Sequence, residues 1–285
     1  MTNVTLTPGN AQAVIRRLGG IEVKPVSSEE RGLVLGIYGE PGVGKTTLAA
    51  SITDSDFGSP ALYIDCRGNP HVINSYADRI DVVTIDRFSQ LEAIRQDLLK
   101  GKDIKYKSVI IDTLTEAWAV DLRDLYNPTA DVSWQMYSAV TRDIEQTVRN
   151  FTDLSTQGPK VNVVLVMQQS VEERTIMNQK VSRFEINFNK ALQESLPSLI
   201  SFLGRMYYYE ITPPFGRVVD FSPAPTLHQA KLQKDPNDPA SKDMPYLMYD
   251  PSLAPIIDAI RGHIPWPVEA HSKPKPKSTQ NRPTP

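Results

Sequence analysis

Apolar residues in this chain fall into short unbroken runs, and between the runs they recur every three or four positions. Leu33–Tyr38 (LVLGIY), Ala61–Asp65 (ALYID), Ile80–Ile85 (IDVVTI), Ser108–Ile111 (SVII) and Val161–Met167 (VNVVLVM) have strand length and read as strands buried on both faces. The intervening stretches have helical spacing. Thr46–Ile52 opens a helix. Ser89-Gln90-Leu91-Glu92 has the form of a capping box and starts a helix that places Leu91, Ile94 and Leu98 on one face. A longer helix is expected near Val132–Leu154, where Tyr137, Val140, Ile144, Val148 and Phe151 recur at helical intervals. Strands alternating with amphipathic helices predict an α/β fold, a mostly parallel sheet sandwiched by helices.

Outside this block the pattern changes. Residues 1–30 mix polar residues with Pro8, Gly19, Gly20 and Pro25, with one short helical stretch near Ala11–Leu18, and are expected to form an N-terminal arm. After Lys190, Ala191–Leu203 reads as a helix interrupted at Pro197. Arg205–Ile211 and Arg217–Phe221 read as paired strands around Thr212–Gly216. Ser222–Pro245 reads as a loop and Ser252–Arg261 as a last helix, with Ile264-Pro-Trp-Pro267 closing the folded part. The expected division is an arm at 1–30, an α/β core at 31–212, a small C-terminal β/α extension of that core at 213–268, and a basic Pro/Lys tail at 269–285. Residues 270–285 hold four cations and no acid among repeated prolines, so they are expected to be disordered.

Composition narrows the classes. At 285 residues the chain is long enough to bury roughly 75% of its unfolded surface. The single cysteine, Cys66, excludes a disulfide framework and a Cys-rich zinc site. The four histidines, His71, His228, His263 and His271, lack metal-ligand spacing, so no metal is assigned to them. A net charge of −2 advertises no global basic field. No apolar run approaches the ~20 residues of a spanning helix, and no secretory h-region follows the N-terminus. The expected location is the cytoplasm.

The decisive segment is Gly39-Glu40-Pro41-Gly42-Val43-Gly44-Lys45-Thr46, followed by Thr47, which matches G-x-x-x-x-G-K-[ST] between a buried strand and a helix. Glycines let successive backbone N–H groups turn onto phosphates, and the helix N-terminus adds its positive end. Lys45 is expected at the β- and γ-phosphates, with the Thr46 hydroxyl on Mg²⁺. Val109–Asp112 delivers a carboxylate at a strand's C-terminal edge, where a P-loop protein orients Mg²⁺. Gln168 and Gln169 follow the Val163–Met167 run; an amide there orients a water or senses the γ-phosphate. The reading favours Gln168, which directly follows the run. ATP and Mg²⁺ are therefore the expected ligands.

Taken together, LVLGIYGEPGVGKTTLA, LYIDCRGNP, VIIDTLTEAW and VVLVMQQ resemble the RecA-like core of phage ATP-binding proteins, and more narrowly the phage single-strand-annealing ATPases. The resemblance spans about residues 20–262 and takes in LPSLISFLGRMYYYE and the loop near Lys231. It implies ATP-dependent binding of single-stranded DNA, annealing or strand pairing, and assembly as a ring or filament. A single-strand-binding protein is an implied partner. RecA-like enzymes usually carry a water-activating glutamate two residues past the strand-terminal Asp that matches Asp65; here Arg67 stands there. Glu116, four residues after Asp112, and Glu40 are the candidate substitutes.

Other residues enter as candidates. Arg174, Arg183, Arg205, Lys231 and Lys234 lie beyond the sensing strand and are candidates for a cation acting in trans. Ser170–Ser182 occupies the place of a DNA-contacting loop, and the tail adds phosphate contacts. In Tyr207-Tyr208-Tyr209 the alternation of a strand favours core positions with one exposed ring over base stacking. Trp118 is expected to pack. Two further readings stay open, an ATP-binding switch or scaffold with little hydrolysis and a P-loop small-molecule kinase. The first draws on Arg67; the second lacks a visible acceptor pocket.

Overall fold

The computed structural model describes residues 16–18, 21–23, 31–67, 70–100, 105–125, 133–157, 159–176, 178–210, 216–224, 226–232, 242–262 and 266. The tail, Lys234 and the turn at 211–215 lie outside them. The chain divides into two compact units, Met1–Arg31 and Gly32–Pro285. In the first, β1 (Arg16–Leu18) pairs antiparallel with β2 (Ile21–Val23), Arg16 opposite Val23. The expected helix near Ala11–Leu18 is thus overturned over Arg16–Leu18: the Gly19-Gly20 step between the two segments suits a hairpin, not a helix end. Residues 11–15 lie outside the described residues.

The second unit is built on β3 (Val34–Gly39), β4 (Ala61–Asp65), β5 (Ile80–Thr84), β6 (Ser108–Asp112), β7 (Asn162–Ile176) and β9 (Phe202–Tyr208), parallel in the order β5-β4-β6-β7-β3-β9. Antiparallel β10 (Arg217–Asp220) and β12 (Leu247–Tyr249) extend the β9 edge, and β11 (Lys231–Leu232) pairs with the start of β9. Both faces of β3, β4, β6 and the first half of β7 are covered, which explains their unbroken apolar runs, whereas β5, expected to be buried likewise, is an edge strand left largely exposed, Val82 included. Val109, Ile111, Val163, Leu165 and Met167 face one core. There they meet Leu91 and Leu98 of α2 (Ser89–Lys100), Leu114 of α3 (Leu114–Leu125), Val140, Ile144 and Val148 of α4 (Trp134–Asp153), and Leu192 of α5 (Lys190–Leu199). Alternate residues Ile110, Val164 and Val166 face the opposite core, with Leu48 of α1 (Lys45–Ala50), Ile256 and Ile257 of α6 (Ala254–Gly262), and Trp266. Leu165 is fully buried, and its truncation to Ala would cost about 2–5 kcal/mol.

Three local expectations are corrected. The capping box fails. The Gln90 amide oxygen accepts the N–H groups of Asp86 and Arg87, while Glu92 pairs with Arg95 and takes Nδ2–H of Asn150. Pro197 does not interrupt α5, which ends at Leu199 before β9 begins. The carbonyl that Pro197 cannot serve, that of Gln193, instead accepts Nε2–H of Gln229 at 2.8 Å. Ser170–Ser182 is not a loop. Strand β7 runs on to Ile176 and pairs antiparallel with β8 (Gln179–Ile186), forming a hairpin that continues directly from the sheet.

Candidate functional site

The parallel register brings the expected site residues to one edge. Gly39 pairs with Gln168 across β3–β7, and Asp65 with Asp112 across β4–β6. This is the carboxyl edge of the sheet, where open α/β folds bind ligands.

The loop from Gly39 to Gly44 turns through two left-handed glycines, Gly42 (φ 80°) and Gly44 (φ 102°), the latter capping α1. Lys45 is buried, and its Nζ donates to the carbonyls of Gly39 (2.8 Å) and Glu40 (2.7 Å), which holds it in the mouth of the loop. Burial pulls the ammonium down to about 8, the carboxylate of Asp112 opposing the shift and the charge of Arg67 adding to it. Thr46 Oγ1 donates to Asp112 Oδ2 at 2.5 Å. The hydroxyl and carboxylate expected on one metal therefore do meet. They are hard oxygen donors of the kind Mg²⁺ takes beside substrate phosphates, so the residues present fit that ion. Among the described residues no cluster of three or more His, Cys, Asp or Glu is placed to hold a metal by side chains alone.

Glu116 sits in the first turn of α3. It accepts Nε2–H of Gln168 at 3.1 Å and lies 3.8 Å from Arg67 Nε. Glu116, a candidate for activating the water, and Gln168, the candidate for orienting it, are thus in contact, and Arg67 stands beside them. Arg67, Glu116 and Gln168 line a cavity of about 710 Å³ with Pro41 of the P-loop, Asp86 and Arg123. Glu40 is differently engaged: its carboxylate takes Nε2–H of Gln169 at 3.4 Å, and Gln169 Oε1 accepts from Arg205 Nε at 2.8 Å. The Arg205 guanidinium lies 3.4 Å from the ring centre of Phe184 and 4.7 Å from that of Tyr207. A continuous chain of contacts therefore runs from the P-loop to the base of the β7–β8 hairpin.

The four described candidates for a trans cation all have partners within the chain. Arg174 and Arg183 both pair with the buried Glu185, each at 3.1 Å, and Arg174 also pairs with Glu172. Arg205 is held by Gln169, and Lys231 Nζ donates to the carbonyls of Pro197 and Ser198. Each is committed within its own chain. Of the tyrosine run, Tyr207 lies beside Arg205, Tyr208 Oη donates to the Gly42 carbonyl, and Tyr209 meets Tyr249 edge-on. Trp118 packs, stacking on Tyr137 at 5.9 Å.

Sequence reasoning missed three residues. Tyr63 Oη donates to Asp112 Oδ2 at 2.9 Å; burial first, and then that carboxylate, push its phenol well above the ordinary range. In sequence Tyr63 is one more apolar position of a strand. Arg217, at the start of β10, lies so close over Gly44 that a Cβ there would meet its guanidinium at 3.1 Å. It lines a recess of about 320 Å³ with Thr47, Tyr76, Asp54 and Asp250. Tyr208 reads as part of an aromatic run, and only the β3–β9 pairing brings it to the P-loop.

A family described as an AAA domain matches residues 31–231. Among solved structures, that of the RadB recombinase is similar with a TM-score of 0.40 and 18% identity, over 67% of this chain and 81% of that one. A search of curated protein sequences finds no match. The expected α/β class, a mostly parallel sheet between helices, is the one found, and the matching family is that of the AAA domain.

Proposed function

We propose that this chain, which belongs to the AAA-domain family, binds ATP with Mg²⁺ and uses it to control a DNA recombination reaction, the annealing or pairing of single strands. One observation carries the nucleotide half of this reading. Lys45, Thr46 and Asp112 converge at the mouth of a loop that turns through two left-handed glycines, the second of which caps a helix. A carboxylate and a hydroxyl sharing a hydrogen bond at 2.5 Å beside a buried ammonium suit a magnesium–triphosphate complex.

The chemistry proposed is hydrolysis of the β–γ linkage. Thr46 and Asp112 would hold Mg²⁺, which takes up charge on the phosphate oxygens when bound. Lys45 neutralises charge on the β- and γ-phosphates. Glu116 accepts the proton of the attacking water, with Gln168 fixing the carboxylate through its amide. The water oxygen bonds to the γ-phosphorus, the bridging P–O bond breaks, and ADP leaves with that electron pair.

The DNA half rests on the resemblance of the sequence to single-strand-annealing ATPases, and the fold supports it at one point. Strand β7 is continuous from the sheet through Gln168 and Gln169 into the hairpin, so a phosphate-dependent shift of either glutamine has a rigid path outward. Hairpin residues Glu172, Arg174, Arg183 and Glu185 neutralise one another, so backbone phosphate contacts are assigned to the basic tail. Assembly as a ring or filament, help from a single-strand-binding protein and a cytoplasmic setting, that of the host if the chain is phage-encoded, belong to the same proposal. No helix among the described residues is long and apolar enough to cross a membrane.

Phosphate release from Mg²⁺-ATP, with and without single-stranded DNA and with Lys45→Ala as the blank, tests this reading. DNA-stimulated release supports it. An acceptor-dependent ADP signal without DNA would replace it with a kinase. A second reading, an ATP-controlled switch with little turnover, is favoured by Arg67 standing 3.8 Å from Glu116. It predicts tight ATP binding, no release in either condition, and annealing that still depends on ATP.

A further inference from the structure

We infer that Arg67 is a γ-phosphate-reading cation acting within its own chain, taking the third phosphate of a nucleoside triphosphate from the wall it shares with Glu116 and Gln168. The inference rests on the ATP-binding reading above and adds a residue that the reading does not use.

The position is built, not incidental. Arg67 follows β4 by two residues, and its backbone N–H donates to Oδ1 of Asp65 at 2.9 Å. Asp65 is buried, and its other oxygen accepts from Thr84. The turn carrying Arg67 is therefore pinned to the strand end that lies in register with Asp112. The guanidinium stands in the wall of the 710 Å³ cavity beside Glu116, Gln168 and Pro41 of the P-loop.

That wall carries two guanidinium groups, Arg67 and Arg123, and two carboxylates, Asp86 and Glu116, so an anion there depends on a cation that the carboxylates leave unbonded. Glu116 does not satisfy Arg67: at 3.8 Å the contact is beyond hydrogen-bond length, and both side chains remain about two-fifths exposed. The other cation of the cavity, Arg123, donates to the carbonyl of Asp86. Arg67 thus stands in this wall with Gln168 and Pro41, its guanidinium at no hydrogen-bond distance from Glu116. A guanidinium offers paired N–H groups that match two phosphate oxygens, which an ammonium cannot do.

The consequence is discrimination between triphosphate and diphosphate. ADP engages Lys45 and the loop but offers nothing for Arg67. The test is equilibrium binding of Mg²⁺-ATP and Mg²⁺-ADP to the full chain, wild type against Arg67→Ala and Arg67→Lys, with thermal melting as the folding control. Arg67→Ala should weaken ATP binding about ten- to a hundredfold while ADP affinity stays within about twofold. Arg67→Lys should recover part of the ATP affinity. Equal losses for both nucleotides, or no loss for either, would overturn the role while leaving the ATP-binding reading intact. An Arg67→Ala protein with unchanged ATP affinity and faster phosphate release would likewise overturn it, showing an arginine that only restrains Glu116. A wild-type chain that binds neither nucleotide would remove both proposals.

Discussion

Tyr63 and Thr46 donate to the same oxygen of Asp112, Oδ2, the phenol at 2.9 Å and the threonine hydroxyl at 2.5 Å. Asp112 is 2% exposed, so its carboxylate depends on such donors in place of water. The two differ in what a metal does to them. Thr46 is expected to turn its oxygen to Mg²⁺, whereas Tyr63 has no reason to leave and keeps the carboxylate oriented. Tyr63→Phe should therefore retain the fold and raise the Mg²⁺ concentration needed for nucleotide binding about tenfold, the scale found for outer partners of metal ligands. A Mg²⁺ titration at fixed ATP checks this, and an unchanged midpoint would reduce Tyr63 to a packing residue.

Lys45 supplies a pH dependence with a defined sign. Its ammonium is drawn down to about 8, first by burial, against an ordinary value of 10.5. A base whose folded value is lowered releases its proton more readily folded than unfolded. Stability therefore rises as pH climbs from about 8 towards 10.5, by roughly 2–3 kcal/mol, and is flat in this respect below that window. Nucleotide affinity should move the opposite way, falling above pH 8 as the ammonium is lost. Lys45→Met should abolish both slopes. Denaturant unfolding and ATP binding at pH 7 and pH 9 measure them.

The legible part of this molecule is what burial writes into local sequence. Strands covered on both faces must be apolar throughout, so ALYID marks β4 to the residue and SVII marks β6 to within one, Asp112. The P-loop is legible because its glycines and its lysine are needed at fixed spacing. Where a strand leaves the sheet that signal vanishes: QQSVEERTI continues β7, but it is partly exposed on both sides and reads as a polar loop. Ser89 and Glu92 have the spacing of a capping box, yet Gln90 reaches the free N–H groups and Arg95 claims Glu92, a competition local pattern does not rank. Pro197 is tolerated because Gln229, 36 residues away, serves the Gln193 carbonyl. The contacts of Tyr63 with Asp112 and of Arg217 with Gly44 join distant segments through strand order, and only the folded sheet reveals them.

Glu116 and Gln168 separate chemistry from binding. Glu116→Gln keeps a polar group against the Gln168 amide but cannot accept a proton from water. Phosphate release should fall about a hundredfold or more with ATP affinity retained. Single-turnover release beside equilibrium ATP binding distinguishes this from loss of the site. A variant that hydrolyses at the wild-type rate would move the base elsewhere, with Glu40, which already engages Gln169, the next to test.

Asp121 of α3 sits far from this chemistry in role and should control stability instead. Its side chain is 4% exposed, and Oδ2 has no hydrogen-bond partner. Burial, then the nearby charges of Asp143 on α4 and Asp124 on its own helix, raise the carboxyl to about 7. An acid held above its unfolded value contributes fully only below the ordinary carboxylate range near 4. That contribution is lost progressively as pH rises to about 7 and is gone beyond it. The α3–α4 packing should therefore weaken across this interval by roughly 2–4 kcal/mol, the size a shift of this order carries for a buried group. Asp121→Asn keeps the volume and removes the charge, so the variant should be more stable than wild type at pH 8 and about equal at pH 4. Chemical denaturation at the two pH values decides the matter: equal midpoints at pH 8 would mean that the carboxylate finds water or a cation once ionised.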